Sequence, residues 1–94
     1  HPVFRTHPDT GKKVIYVNRA FTQYIKGWEE EESKEMLDFL YSCASTPEYQ
    51  CRFSWENNSI AFWDNRACQH YANSDYWPQI RRVERVTIIG DRPV

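Results

Sequence analysis

The sequence predicts a mainly β fold with one helix, and three observations support this class. Apolar and polar side chains alternate in two segments, near the middle and near the end of the chain, as they do in half-buried strands. One other window repeats its apolar residues at helical spacing. The chain has 94 residues, of which 40% are hydrophobic, so it is no larger than one small domain.

The first predicted element is a β-hairpin. β-Branched and aromatic residues lie on both sides of a polar segment, at 3–6 and at 14–18. Between them, Asp9, Thr10 and Gly11 have the chemistry of a turn, because Asp and Thr hydrogen-bond locally and Gly accepts a positive φ. We therefore expect two paired strands joined by this turn.

The second predicted element is a helix that begins near the four glutamates at 29–32 and ends before Pro47. Acidic side chains stabilise a helix N-terminus, and the residue before a proline avoids the α region. The apolar stripe of this helix consists of Met36, Leu37, Leu40, Tyr41 and Ala44. A single stripe of this kind predicts one buried face.

Three further strands are predicted in the second half of the chain. Residues 49–55 alternate with period two, 60–63 form a short apolar run, and 81–89 alternate again. Polar residues with turn propensity separate them, at 56–59 and 64–66.

Two arginines of the last predicted strand share one face. Arg81 and Arg85 lie about 13 Å apart at ~3.3 Å per residue, so their long side chains can reach two groups in one site. Arginine binds carboxylate, sulfonate or phosphate through a two-pronged, charge-assisted fork. The alternative is a solvated face with ion pairs to Glu84, and the charge pattern alone favours that alternative because surface charges are common.

Two histidines are candidates for metal binding or acid–base chemistry. His70 follows an apolar run, although a lone histidine is more often satisfied by a backbone carbonyl. His7 and Asp9 have the His-x-Asp spacing of an iron site, but they stand at the start of the turn, where a structural role is favoured. Asp64 is expected to bond backbone amides and Arg66 in a rigid turn.

Composition disfavours several classes of protein. Twelve basic and thirteen acidic residues give a net charge of −1, so the chain has no global field that attracts nucleic acid or anionic lipid. No apolar run approaches the ~18–20 residues of a membrane span, and the first residues lack a signal-peptide pattern. Three cysteines without a Cys-x-x-Cys pair argue against a disulfide scaffold or a zinc site and suggest a reducing cytoplasm.

Several motifs, spread along the whole chain, together resemble one known family. They are His1-Pro2-Val3, Arg5-Thr6-His7-Pro8, Gly11-Lys12, Tyr16-Val17-Asn18, Phe21-Thr22, Pro47-Glu48-Tyr49-Gln50, the run from Trp63 to Ala72, Asp75-Tyr76, Pro78, Arg81-Arg82 and Arg85. This pattern resembles the C-terminal part of the taurine dioxygenase family, whose members use Fe(II) and 2-oxoglutarate.

The resemblance implies a fold and three site residues. The family fold is a double-stranded β-helix, or jelly roll, so residues 1–94 would be the C-terminal segment of a single dioxygenase domain. His70 would be the distal iron ligand, Arg81 would bind the far carboxylate of 2-oxoglutarate, and Arg85 would bind the anionic head of the substrate. The family's His-x-Asp pair and a threonine contact to 2-oxoglutarate lie upstream of this segment, so we expect the 94 residues alone to be inactive.

The resemblance also implies an activity. Such an enzyme consumes O2 and 2-oxoglutarate, releases succinate and CO2, and hydroxylates taurine or a related sulfonate at the carbon bearing sulfur, which then releases sulfite. Two alternatives are an alkyl-sulfate dioxygenase of the same family and a non-catalytic small β binding module. The expected partner is a small anionic sulfonate or sulfate, with no nucleic acid and no membrane, and a homo-oligomer is compatible with the sequence.

Overall fold

The chain begins with a short antiparallel hairpin. The computed structural model describes residues 1–94. Strand β1 (Phe4–Thr6) pairs with β2 (Lys13–Ile15), with Arg5 opposite Val14. The predicted hairpin is therefore confirmed.

The turn of this hairpin is closed by backbone hydrogen bonds. The His7 amide donates to the Lys12 carbonyl at 2.9 Å, and the Gly11 amide donates to the His7 carbonyl at 2.9 Å. Gly11 has a φ of 68°, in the left-handed region that glycine adopts without a Cβ penalty. This is the geometric reason for a glycine in the turn.

A single α-helix follows, α1 (Glu30–Ala44). Three glutamates occupy its first turn, where their charge complements the helix dipole. Near that end Ser33 is buried, and its hydroxyl accepts a 2.7 Å hydrogen bond from the Ile25 amide. The helix ends before Pro47, at which a short 3-10 turn begins (Pro47–Tyr49), so the predicted helix is confirmed.

The hydrophobic core is small and lies between α1 and the hairpin. Leu37 and Leu40, from the predicted apolar stripe, are buried together with Val17, which follows β2. Partly buried residues flank them: Val3, Ile15, Ile25 and Tyr41. Met36 and Ala44 are exposed, so the buried face of α1 is narrower than the sequence pattern predicts. The helix also lacks the length and apolar character needed to cross a bilayer.

The three strands predicted in the second half of the chain do not form. Residues 49–55, 60–63 and 81–89 contain no β-strand, and the only sheet has two strands. The predicted sheet is wrong for this structure because a strand needs a neighbour for its backbone groups, and these segments have none. Their large apolar side chains are exposed, and Ile60 and Ile89 are 90% and 98% exposed.

The two predicted turns in this half of the chain are nevertheless present. The Ser59 amide donates to the Glu56 carbonyl at 3.1 Å. The amides of Ala67 and Cys68 both donate to the Asp64 carbonyl, at 3.1 and 2.9 Å. Turn chemistry is local, so it does not depend on a partner strand.

Candidate functional site

The structure leaves the three predicted site residues, His70, Arg81 and Arg85, exposed. No hydrogen bond or ion pair joins them. His70 lies beside the indole of Trp63, with ring centroids 4.9 Å apart and an interplanar angle of 50°. The roles assigned to the three residues by resemblance remain predictions.

The part of the chain that carries these residues is held at both ends by the hairpin. We call residues 64–91 the site segment. At its start Asp64 pairs with His7, and at its end Asp91 pairs with Arg5. Arg5 lies in β1 and His7 directly follows this strand, two residues further on, so their side chains project to the same side. Both are buried.

In the Arg5–Asp91 pair, one guanidinium nitrogen contacts both carboxylate oxygens. Nη2 of Arg5 donates to both carboxylate oxygens of Asp91, at 2.9 and 2.8 Å. The guanidinium carbon lies 5.0 Å from the centre of the Tyr16 ring, within range of a cation–π contact. Hydrogen bonding from Arg5 holds the pKa of Asp91 below its usual range.

The imidazole of His7 uses both of its ring nitrogens within the protein. The backbone amides of Asp9 and Thr10 both donate to Nδ1, each at 3.3 Å. Since Nδ1 accepts, we assign the proton of the neutral ring to Nε2, which lies 3.0 Å from Oδ2 of Asp64. His7 and Asp9 therefore have a structural arrangement, with no ring nitrogen left over for a metal.

Asp64 is the centre of a charged turn, as the sequence predicts. It accepts hydrogen bonds from the backbone amide of Arg66 at 2.8 Å and from the Arg66 guanidinium at 2.9 Å. The same guanidinium reaches Asp9 at 2.9 Å. Hydrogen bonds from Arg66, and next from His7, hold the pKa of Asp64 well below its usual range. The pairing raises the pKa of Arg66.

We expect the stability of the chain to fall in acid because of these carboxylates. Asp64 and Asp91 have lowered pKa values in the folded state, so the unfolded chain binds more protons than the folded chain at acidic pH. Their contribution is fully present above the ordinary aspartate pKa of about 4 and is lost as the pH falls toward the folded pKa values.

Urea unfolding between pH 6 and pH 2, followed by tryptophan fluorescence, measures this effect. We expect the free energy of unfolding to decline below about pH 4, and Asp64→Asn to flatten the decline. Glu48→Gln is the control, because Glu48 is exposed and makes no ion pair. An unchanged acid limb in Asp64→Asn would contradict the assignment.

Two contacts lie next to His70. Nε2 of Gln69 donates to the carbonyl of buried Val17 at 2.8 Å, which ties the residue before His70 to the core. Nε1 of Trp63 donates to Oδ1 of Asn65 at 2.7 Å, which holds the indole that contacts the imidazole. The sequence did not predict either contact.

The sequence also did not predict that Arg5 and His7 contact the site segment. The signal that could have revealed them is their spacing. Alternate positions of an extended segment project to one side, and cationic or polar side chains buried on that side need acidic partners. The sequence alone does not say which of thirteen acidic residues these partners are.

The ring nitrogens of His70 are not occupied by contacts within the protein. Its imidazole is exposed, and neither ring nitrogen is hydrogen-bonded to the protein. No group of three His, Cys, Asp or Glu side chains in the structure could hold a metal ion.

A separate open groove lies beside α1. It has a volume of about 550 Å³ between α1 and the preceding loop, and its walls include Arg19, Tyr24, Trp28 and Tyr41. The guanidinium of Arg19 lies over the Tyr41 ring at 4.9 Å. None of the predicted site residues lines this groove.

Comparisons with known proteins identify relatives of the chain. A family model described as taurine catabolism dioxygenase TauD, TfdA family, matches residues 1–87. The chain is 43% identical to an alpha-ketoglutarate-dependent sulfonate dioxygenase of Saccharomyces cerevisiae, over 100% of this chain and 23% of that protein. It is 40% identical to an alpha-ketoglutarate-dependent sulfate ester dioxygenase of Pseudomonas putida, over 100% of this chain and 31% of that protein.

A third relative is an alkylsulfatase of Acinetobacter baylyi, 36% identical over 97% of this chain and 28% of that protein. No solved structure gave a significant match. The chain thus spans between 23% and 31% of the length of these three relatives. The family match covers nearly the whole chain and includes His70, Arg81 and Arg85, so the chain belongs to the TauD/TfdA family of taurine catabolism dioxygenases.

Proposed function

We propose that residues 1–94 form the C-terminal segment of a single Fe(II)- and 2-oxoglutarate-dependent dioxygenase domain. The complete enzyme acts on taurine or a related sulfonate. The family match over residues 1–87 carries this proposal, and the sulfonate dioxygenase of Saccharomyces cerevisiae, at 43% identity, supports the substrate class.

Three residues of this chain have roles in the proposed site. His70 contributes one imidazole ligand to iron, and two further ligands come from outside the chain. Arg81 holds the far carboxylate of 2-oxoglutarate, and Arg85 holds the sulfonate of the substrate. Iron and 2-oxoglutarate together supply the oxidising chemistry with O2, and the protein groups supply binding and orientation.

The products follow from the position of the substrate. With its sulfonate on Arg85, the substrate presents the neighbouring C–H bond for hydroxylation. One oxygen atom of O2 enters the new hydroxyl, and the other enters succinate as 2-oxoglutarate loses CO2. The hydroxylated carbon then breaks its C–S bond, which leaves an aldehyde and sulfite.

A sulfate ester is the second candidate substrate. The relatives from Pseudomonas putida and Acinetobacter baylyi, a sulfate ester dioxygenase and an alkylsulfatase, favour it. A sulfate presents the same kind of anionic head to Arg85. Hydroxylation of the carbon that bears the ester oxygen releases an aldehyde and sulfate, so the inorganic product distinguishes the two substrate classes.

The unpaired second half of the chain supports the proposed jelly roll. Residues 81–89 alternate in polarity yet pair with no strand, and exposed edges of this kind are normally covered or paired in a native protein. We propose that other strands of the same domain pair with them. Three free cysteines support the proposed cytoplasmic location, since reducing compartments keep thiols unpaired.

The decisive experiment is His70→Ala in the complete enzyme. We expect loss of metal affinity and of succinate formation by at least about 100-fold, because removal of a direct ligand costs more than removal of its supporting contacts. His1→Ala is the matched control, since His1 is also an exposed histidine. Undiminished iron binding in His70→Ala would refute the proposed site.

A further inference from the structure

We propose that the N-terminal hairpin and Val17, which follows β2, position the imidazole of His70 through two contacts, His7 with Asp64 and Val17 with Gln69. The proposal rests on the proposed function, in which His70 is an iron ligand. It assigns His7 as a positioning residue for that ligand, although His7 itself binds neither iron nor substrate.

The first step is the fixed orientation of His7. Its side chain is buried, with 7% exposure, and its Nδ1 accepts two backbone amides of the hairpin turn. A ring held at Nδ1 can point Nε2 in only one direction. That direction is toward the carboxylate of Asp64, 3.0 Å away.

The second step is the transfer of this position to the site segment. Asp64 binds His7 with its side chain, and its backbone carbonyl accepts the amides of Ala67 and Cys68. The same residue therefore fixes the turn to the hairpin and closes the turn. The chain leaves this turn directly toward His70.

The third step is the support of His70 on both sides. The residue before it, Gln69, is hydrogen-bonded to buried Val17. The indole of Trp63, the residue before Asp64, contacts the imidazole with centroids 4.9 Å apart. A metal ligand must be held within about 0.5 Å of its productive position, and these anchors connect His70 to the most buried part of the chain.

The matched variants His7→Asn and His7→Gln separate positioning from packing. Asparagine places its amide oxygen where Nδ1 accepts the turn amides, but it is too short to reach Asp64. Glutamine can extend its amide nitrogen to the position of Nε2 and donate to Asp64. Arg5→Met is the control, because it breaks the other ion pair of the same hairpin, at the far end of the site segment.

The test is a Co(II) titration of the complete enzyme, followed by visible absorption, with the free energy of unfolding measured in parallel. We expect His7→Asn to weaken Co(II) affinity by about 10-fold, as loss of a supporting contact does at metal sites, and His7→Gln to recover most of that loss. Arg5→Met should change the affinity by less than about twofold.

If His7→Asn does not fold, Gln69→Met tests the contact between Gln69 and Val17 without a change in charge. We expect this variant to lose Co(II) affinity severalfold. The positioning role would be overturned if His7→Asn and His7→Gln lost the same amount of Co(II) affinity. Full Co(II) affinity in either His7→Asn or Gln69→Met would also overturn it. Failure of the proposed function gives a different result, because His70→Ala would then bind Co(II) as the unaltered enzyme does.

Discussion

Arg85→Ala is expected to raise the taurine concentration for half-maximal turnover by about 30-fold or more, with little effect on 2-oxoglutarate. Arg81→Ala is expected to raise the 2-oxoglutarate concentration for half-maximal turnover, with little effect on taurine. Each arginine binds one anionic group in the proposed site, and loss of one partner of a desolvated charge pair costs about 2–5 kcal/mol. The lower end of that range corresponds to about 30-fold in affinity.

Succinate formation measures both effects in the complete enzyme. One series varies 2-oxoglutarate at saturating taurine, and the other varies taurine at saturating 2-oxoglutarate. Arg85→Lys should recover only part of the loss, because an ammonium group is a point charge without the two-pronged geometry of guanidinium.

Arg82 provides the matched control for this pair. It lies between the two arginines but on the opposite face of the predicted strand, and it is also exposed in the structure. Arg82→Ala should therefore change the half-maximal concentrations of taurine and of 2-oxoglutarate by less than about twofold. An Arg81→Ala enzyme that loses taurine affinity instead of 2-oxoglutarate affinity would show that the two roles are exchanged.

Local features of the fold were predictable from the sequence. The hairpin depends on a turn with Gly11 at positive φ, and α1 depends on acidic residues at its start and a proline beyond its end. The turn at Asp64 depends on contacts to Arg66, two residues away. Each of these signals is contained within a few neighbouring residues, so the sequence carries it without knowledge of the tertiary fold.

Features that depend on distant partners were not predictable. The alternation in 81–89 indicates a strand, but it cannot supply the neighbour that a strand requires. Only two strands of three residues each form, which also argues against a free-standing β module, since an isolated two-stranded hairpin is marginally stable. The matched region is 23% and 31% of the length of two of the relatives, so most of their structure has no counterpart in these residues.

In the candidate site, too, contacts between distant residues could not be predicted from the sequence. His70, Arg81 and Arg85 were assigned by resemblance, and the structure leaves all three exposed. The pair Arg5–Asp91 joins residues 86 positions apart, a separation at which no periodic pattern indicates which charges meet. The structure therefore adds the two hairpin anchors, while the assembly of the three site residues remains a prediction.

The two partners of the Arg5–Asp91 pair should differ in their importance for stability. We expect Asp91→Ala to lower the free energy of unfolding at least about twice as much as Arg5→Met, although both remove the same ion pair. The reason is the unequal exposure of the two side chains, which is 2% for Arg5 and 41% for Asp91.

Each variant leaves a different charge without its partner. After Asp91→Ala, the guanidinium of Arg5 stays charged and buried, and its Nε already lacks a hydrogen-bond partner. After Arg5→Met, the carboxylate of Asp91 can be hydrated by water, and methionine fills much of the buried volume of the arginine. An uncompensated buried charge destabilises a protein far more than an apolar replacement of the charged group does.

Urea unfolding of the two variants, the unaltered chain and Lys34→Ala tests this asymmetry. Lys34 forms an exposed ion pair with Asp38 at 3.5 Å, so its loss should have the smallest effect of the three substitutions. Equal destabilisation by Asp91→Ala and Arg5→Met would mean that the Coulomb attraction alone, and not the burial of Arg5, sets the strength of this anchor. In that case the hairpin would hold the end of the site segment no more firmly than a surface ion pair does.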